Sequence, residues 1–116
     1  MVEISPRAFE DLVATALDGM PPTIAKMFDN VAVAVEDQHP DDPHLLGLYE
    51  GVPLTERDGG YGLMAMPDQI TVFRRPICRM CRTGAEVVEQ VRITVVHELG
   101  HHVGIDDDRL HELGWG

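Results

Sequence analysis

The sequence predicts a single α+β domain that covers residues 1–116. Three observations lead to this class: an apolar stripe at helical spacing near the beginning, short β-branched runs in the middle, and a long helical pattern near the end. Helices and strands that are segregated along the chain in this way are typical of α+β domains. The length also suits one hydrophobic core, because domains usually contain about 100–200 residues.

The first predicted elements are two helices and a strand. Ser5 is placed as an N-cap and Pro6 as the first helical residue, so a helix is predicted over residues 6–18. The apolar residues that recur at helical spacing in it are Phe9, Leu12, Val13 and Leu17. A second, short helix is expected to begin near Pro22, and the β-branched run at 31–35 predicts a strand.

The middle of the chain contains loops and two more extended segments. Residues 36–44 are predicted to form a solvated polar loop, and residues 45–49 a short extended segment. Residues 51–68 are rich in Gly and Pro, and such a long irregular stretch in a small domain is often a lid or a cleft rim. The alternating residues 70–73 predict another strand.

The last long helix begins at a capping box. Thr83 and Glu86 have the T-x-x-E spacing in which each side chain caps a backbone N–H group of the other residue. The apolar stripe predicted for this helix consists of Val88, Val91, Val95 and Leu99. Gly104 is expected to end the helix, and a final short helix is predicted over about residues 108–113.

The charge of the chain argues against several classes of partner. Twenty acidic residues against nine basic ones give a formal net charge of −11. Nucleic acids and anionic membranes bind cationic surfaces, so neither is expected as a partner. No apolar run approaches the roughly 18 residues that a membrane span needs. The amino terminus has no apolar core of a secretory signal, so a cytoplasmic location is expected.

The two cysteines, Cys78 and Cys81, form a C-x-x-C pair. Such a pair can be half of a zinc site or a redox-active dithiol. There is no second pair in the sequence, and the surrounding pattern does not predict a thioredoxin-type β-α-β unit. We therefore expect both cysteines to be free thiols.

The segment with the clearest chemistry is H-E-x-x-H at residues 97–101. Residues four apart on a helix are separated by about 40° around its axis, so His97 and His101 project from one face. Two imidazoles placed in this way can bind one zinc ion, at about 2.0–2.1 Å each. Glu98 lies about 100° further round, where it can flank the metal and accept a proton from water.

A third zinc ligand is expected after the turn at Gly104. Asp107 follows this turn and would complete a site of two imidazoles and one carboxylate. Its competitors along the sequence are Asp106, Asp108, His111 and Glu112. A zinc ion with these ligands keeps a net positive charge, which lowers the pKa of water by roughly eight units. The extended pattern is H-E-x-x-H with Gly at the eighth position and Asp, Glu or His at the eleventh. A chain of this length and composition is expected to contain only roughly 0.0005 chance matches to it.

The run H-E-L-G-H-H-V-G-I-D-D at 97–107 resembles the H-E-x-x-H-x-x-G-x-x-H/D signature of metzincin-like zinc peptidases. With L-Y-E-G-V-P-L-T-E-R at 48–57 and F-R-R-P at 73–76, nearly all of the chain resembles the small bacterial zincin-like metallopeptidases. The resemblance implies a minimal zincin-like fold, in which a small mixed β-sheet packs on an active-site helix with flanking helices. It also implies a substrate cleft between an edge strand and that helix.

The resemblance further implies a zinc-dependent metallopeptidase that hydrolyses peptide or protein substrates. His97, His101 and Asp107 would bind Zn²⁺, and Glu98 would be the general base. Full metzincins continue with a methionine-containing turn and a further subdomain, for which the nine residues after Asp107 leave no room. The side chain that stabilises the oxyanion must then come from upstream or be absent. The alternative is a metal-stabilised binding module without hydrolytic activity, whereas nucleic-acid binding through the basic residues of 74–92 conflicts with the net charge.

Overall fold

The computed structural model describes residues 1–26, 31–51 and 68–102, except for the side chain of His102. These ranges contain, in order, α1 (Pro6–Asp18), α2 (Pro22–Ala25), β1 (Val31–Glu36), β2 (Gly47–Glu50), β3 (Asp68–Phe73), α3 (Arg74–Met80) and α4 (Gly84–His102). The α+β class is therefore confirmed. Most of the predicted lid, Gly104 and the final helix over 108–113 lie outside the described residues.

Helix α1 begins and ends as its sequence predicts. The Ser5 hydroxyl accepts a hydrogen bond from the Ala8 N–H group at 3.2 Å, so the predicted N-cap is confirmed. Leu12 and Leu17 lie half-buried at the borders of the apolar stripe rather than at its centre. The residues that α1 buries are Phe9, Val13 and Ala16.

The sheet has the strand order β1-β3-β2, with β3 parallel to β1 and antiparallel to β2. Ile70 of β3 lies opposite Val33 on one side and Tyr49 on the other, and its side chain is completely buried. The Tyr49 hydroxyl donates to Asp68 Oδ2 at 2.7 Å, which connects β2 to the beginning of β3. The sheet is thus mixed, as the resemblance implied, and β2 is an edge strand of its described part.

Helix α3 follows β3 directly and was not predicted. Pro76 lies in its first turn, where a missing N–H group costs no hydrogen bond within the helix. Arg74 fixes the beginning of the helix by donating to Asp37 Oδ1 and to the Ile4 carbonyl oxygen, each at 2.9 Å. The F-R-R-P run is therefore the junction between the central strand and a short helix.

Helix α4 begins at the predicted capping box. The Glu86 N–H group donates to Thr83 Oγ1 at 3.1 Å, and the Thr83 N–H group donates to Glu86 Oε2 at 3.2 Å. Val88 was expected in the buried stripe but is only half-buried, because the stripe runs through Val87 instead. The residues of the stripe are Val87, Val91, Val95 and Leu99. They pack α4 against α1 and against the sheet.

The two cysteines lie at the end of α3, unpaired and buried, so the prediction of free thiols is confirmed. Burial raises the pKa of the Cys78 thiol, although the nearby Arg74 guanidinium acts in the opposite direction. Burial and the Glu86 carboxylate raise the pKa of the Cys81 thiol. Both groups therefore stay protonated at neutral pH, which suits packing rather than redox chemistry. None of the described helices is long and apolar enough to span a bilayer.

Candidate metal centre

The last two turns of α4 bring the predicted zinc-binding histidines together. His97 and His101 lie one turn apart on the helix, and their ring centroids are 6.1 Å apart with the ring planes at 68°. His97 is half-buried and His101 is exposed. The regular helix explains this geometry, because its periodicity places residues four apart on the same face.

The separation of the two rings is close to what a shared zinc ion requires. Two imidazoles on one tetrahedral zinc ion, each bonded at about 2.0–2.1 Å, have their centroids roughly 5.2 Å apart. The observed separation of 6.1 Å is wider than this, so the rings must turn towards each other to share an ion. Within residues 1–26, 31–51 and 68–102, no group of three His, Cys, Asp or Glu side chains could hold a metal. Asp107 lies outside the described residues, as do the four residues that compete with it for the third position.

Glu98 lies between the two histidines in sequence and is half-buried. Burial raises the pKa of its carboxyl group, and the neighbouring imidazoles of His101 and His97 partly offset this effect. The side chain lies against the beginning of β2, since a Cβ atom added to Gly47 would be 3.6 Å from Glu98 Cγ. The carboxylate is therefore held at the edge where strand β2 passes α4.

The close approach of β2 to α4 depends on Gly47. A Cβ atom at this position would lie 2.6 Å from Thr94 Cγ2 and 3.3 Å from the Thr71 carbonyl oxygen. Thr94 is itself buried, and its hydroxyl accepts a hydrogen bond from Gln90 Nε2 at 3.2 Å. This contact was not predicted, although a glycine inside a strand pattern often indicates that another segment approaches the backbone closely.

A cleft of about 390 Å³, hereafter the α4 cleft, opens between residues 42–47 and α4. The described residues that give it its chemical character are Asp42, His44, Leu45, Ile93, His97 and Glu98. The sequence analysis assigned Asp42 and His44 only to a solvated loop, because their proximity to α4 arises from tertiary structure. The cleft runs beside the edge strand and the helix, where the resemblance implied that substrate binds.

The loop that forms one wall of the α4 cleft is held by hydrogen bonds from three directions. Its own turn is closed by Leu45 N–H, which donates to the Asp42 carbonyl oxygen at 3.2 Å. Arg79 of α3 donates to the Pro43 carbonyl oxygen. At the end of β3, Phe73 N–H donates to the Leu46 carbonyl oxygen at 2.9 Å. The wall is thus attached to the sheet and to α3.

Comparison with known proteins agrees with this geometry. The family model for zincin-like metallopeptidases matches residues 28–115, which include His97, Glu98, His101 and Asp107. A search of curated proteins gives no match to the chain. The description of this family suggests a metal-dependent peptidase. Because the match spans well over half of the sequence, the chain belongs to the family of zincin-like metallopeptidases.

Proposed function

We propose that the protein is a zinc-dependent peptidase in which Glu98 is the general base. His97, His101 and Asp107 are the proposed zinc ligands. The observation that carries this proposal is the pair of imidazole rings, 6.1 Å apart on α4, with a carboxylate beside them at the wall of an open cleft. The partner is a peptide or protein substrate rather than nucleic acid or membrane, in keeping with the net charge of −11.

The side chains have distinct parts in hydrolysis. When bound, zinc polarises the scissile carbonyl group and lowers the pKa of water towards neutrality. Glu98 accepts a proton from the attacking water as the new C–O bond forms, and delivers it to the amine as the C–N bond breaks. Glu98 is placed for this proton transfer by α4, on which it lies, and by the beginning of β2, against which its side chain packs.

The test is the substitution Glu98→Gln, which keeps the size of the side chain and removes its basicity. We expect the purified variant to bind as much zinc as the wild-type protein. Hydrolysis of a mixed peptide library should fall by about 10²–10⁴-fold, the usual contribution of a general base. Metal analysis and mass spectrometry of the digest, with and without a chelator, measure both properties.

Glu89→Gln is the matched control for this experiment. Glu89 lies on the same helix, but its side chain is 60 % exposed and pairs with Arg92 instead of lining the α4 cleft. This variant should cleave peptides at the wild-type rate. Undiminished hydrolysis by Glu98→Gln would exclude Glu98 as the base. If the zinc-loaded wild-type protein cleaves nothing, the alternative of a metal-stabilised binding module replaces the proposal.

A further inference from the structure

Two aliphatic side chains of the α4 cleft are left outside the packed core. Leu45 on the loop and Ile93 on α4 both line the cleft and are half-buried. Leu46, the neighbour of Leu45, packs against the core, whereas Leu45 and Ile93 are not part of the core formed by the described residues. They therefore present apolar surface to whatever enters the cleft, and covering that surface removes it from water.

The same cleft carries an acidic side chain at the loop. Asp42 is exposed, and its Oδ1 atom accepts a hydrogen bond from His44 N–H at 3.0 Å, which fixes the turn. Arg79 donates to the adjacent Pro43 carbonyl oxygen, yet it forms no ion pair with Asp42 in the described structure. Among the described residues that line the cleft there is no lysine or arginine. Asp42 and Glu98 therefore make the cleft acidic.

We propose that the preferred substrates are peptides in which a large apolar side chain lies next to a lysine or arginine. The apolar side chain packs on Leu45 and Ile93, and the cation lies beside Asp42. An acidic peptide would bring like charges together in the cleft of a protein whose net charge is already −11. This inference rests on the proposed function for the reaction and adds the substrate class to it.

The experiment compares kcat/KM of the zinc-loaded protein for matched peptides. One series places Lys, Gln or Glu beside a constant leucine, and a second replaces that leucine by alanine. We expect the order Lys, Gln, Glu, with steps of about two- to fivefold, as for an exposed ion pair. Leucine should exceed alanine by about tenfold or more, because an apolar subsite discriminates strongly between side chains of different size.

Asp42→Asn tests the source of the charge preference. Asparagine keeps the oxygen that accepts from His44 N–H, so the turn is preserved while the charge is lost. The preference for Lys over Glu should shrink in this variant to the part that Glu98 and the net charge of the chain supply. In the wild-type protein, the preference for Lys over Glu should also weaken with added salt, since exposed charges are screened over about 10 Å at 0.1 M ionic strength. The matched control is Asp41→Asn, because Asp41 is exposed on the same loop but does not line the cleft.

A binding measurement separates this inference from the proposed function. Zinc-loaded Glu98→Gln protein is titrated into fluorescently labelled peptides of both series, and anisotropy reports their affinity. Selective binding of the Lys–Leu peptide that Asp42→Asn abolishes supports the inference even if the wild-type protein cleaves nothing. The inference is overturned if peptides with Glu are cleaved with an equal or higher kcat/KM, and bound with equal or higher affinity, than peptides with Lys. A charge preference that is undiminished in Asp42→Asn also overturns it.

Discussion

The α4 cleft and a second cavity beside α3 differ in how far their polar groups are bonded to other groups of the protein. The second cavity, the α3 pocket, lies between residues 1–5 and α3. It has a volume of about 500 Å³, against about 390 Å³ for the α4 cleft. The α3 pocket is therefore the larger of the two, although it does not border His97 or Glu98.

Several polar groups of the α3 pocket are bonded within the fold. Arg74 donates to Asp37 and to the Ile4 carbonyl oxygen, and Val2 N–H donates to the Cys78 carbonyl oxygen at 3.2 Å. These bonds hold the first residues of the chain on α3.

The polar groups of the α4 cleft are used differently. Glu98 and the Asp42 carboxylate form no ion pair with the described residues of the chain, although both border the cleft. Burial raises the pKa of the Glu98 carboxyl group, and groups with perturbed pKa values often lie at functional sites. The α4 cleft is thus distinguished from the α3 pocket by its imidazole and carboxylate groups rather than by its volume.

The largest expected effect is the stabilisation of the protein by zinc through the α4 cleft. Zinc at about 1,000 times its Kd should raise the free energy of unfolding by about 4 kcal/mol, because only the folded chain assembles the site. His97→Ala should lose this increment. Arg75→Ala, which alters the exposed rim of the α3 pocket, should keep it. Urea unfolding with and without zinc measures each value, and an equal increment in all three proteins would contradict the proposed ligand.

The next largest effect concerns the contact that shapes the α4 cleft. Gly47→Ala places a Cβ atom 2.6 Å from Thr94 Cγ2, and the buried threonine has little room to move. We expect the free energy of unfolding to fall by about 1–3 kcal/mol, which is typical of an overpacked interior. Chemical denaturation of the single variant measures this loss.

Two further variants show whether the loss arises at this contact. Thr94→Ser removes Cγ2 and keeps the hydroxyl that bonds Gln90, so it should recover much of the stability in the Gly47→Ala background. Gly84→Ala is the control glycine, because its nearest neighbour would be Leu12 Cδ2 at an ordinary 3.8 Å. A loss that persists in the double variant would place the cause elsewhere, for example at the Thr71 carbonyl oxygen.

Much of the fold was predictable because its signals are local. The Ser5 cap and the capping box of Thr83 and Glu86 join residues three apart, so their patterns can be recognised without knowing the tertiary structure. No element was predicted at residues 74–80, although a proline in the first turn, as Pro76 is, is compatible with a helix. Val88 was misassigned because helical spacing gives the width of an apolar stripe but not which border faces the core.

The candidate site also contains features that local sequence spacing predicts and features that depend on tertiary contacts. The positions of His97, Glu98 and His101 follow from one helix and its period, so sequence spacing was enough to group them. The contact between Gly47 and Thr94 joins segments that are far apart in sequence, and no local pattern predicts it. The role of Asp107 stays a prediction. The apolar and acidic walls of the cleft became apparent only when the loop and α4 were placed side by side.

The smallest expected effect lies beside the α3 pocket and depends on pH. Burial raises the pKa of both thiols above their ordinary value of 9.0, so the folded chain holds these protons more tightly than the unfolded chain does. Stability is therefore unaffected by them below about pH 9 and falls as the pH rises above it. Each thiol contributes at most about 1.4 kcal/mol per pH unit. The double variant Cys78→Ala, Cys81→Ala should show a shallower decline between pH 9 and 10.5 in urea unfolding, while its peptidase activity at neutral pH matches the wild type. An identical decline in both proteins would mean that the thiols titrate as they do in the unfolded chain.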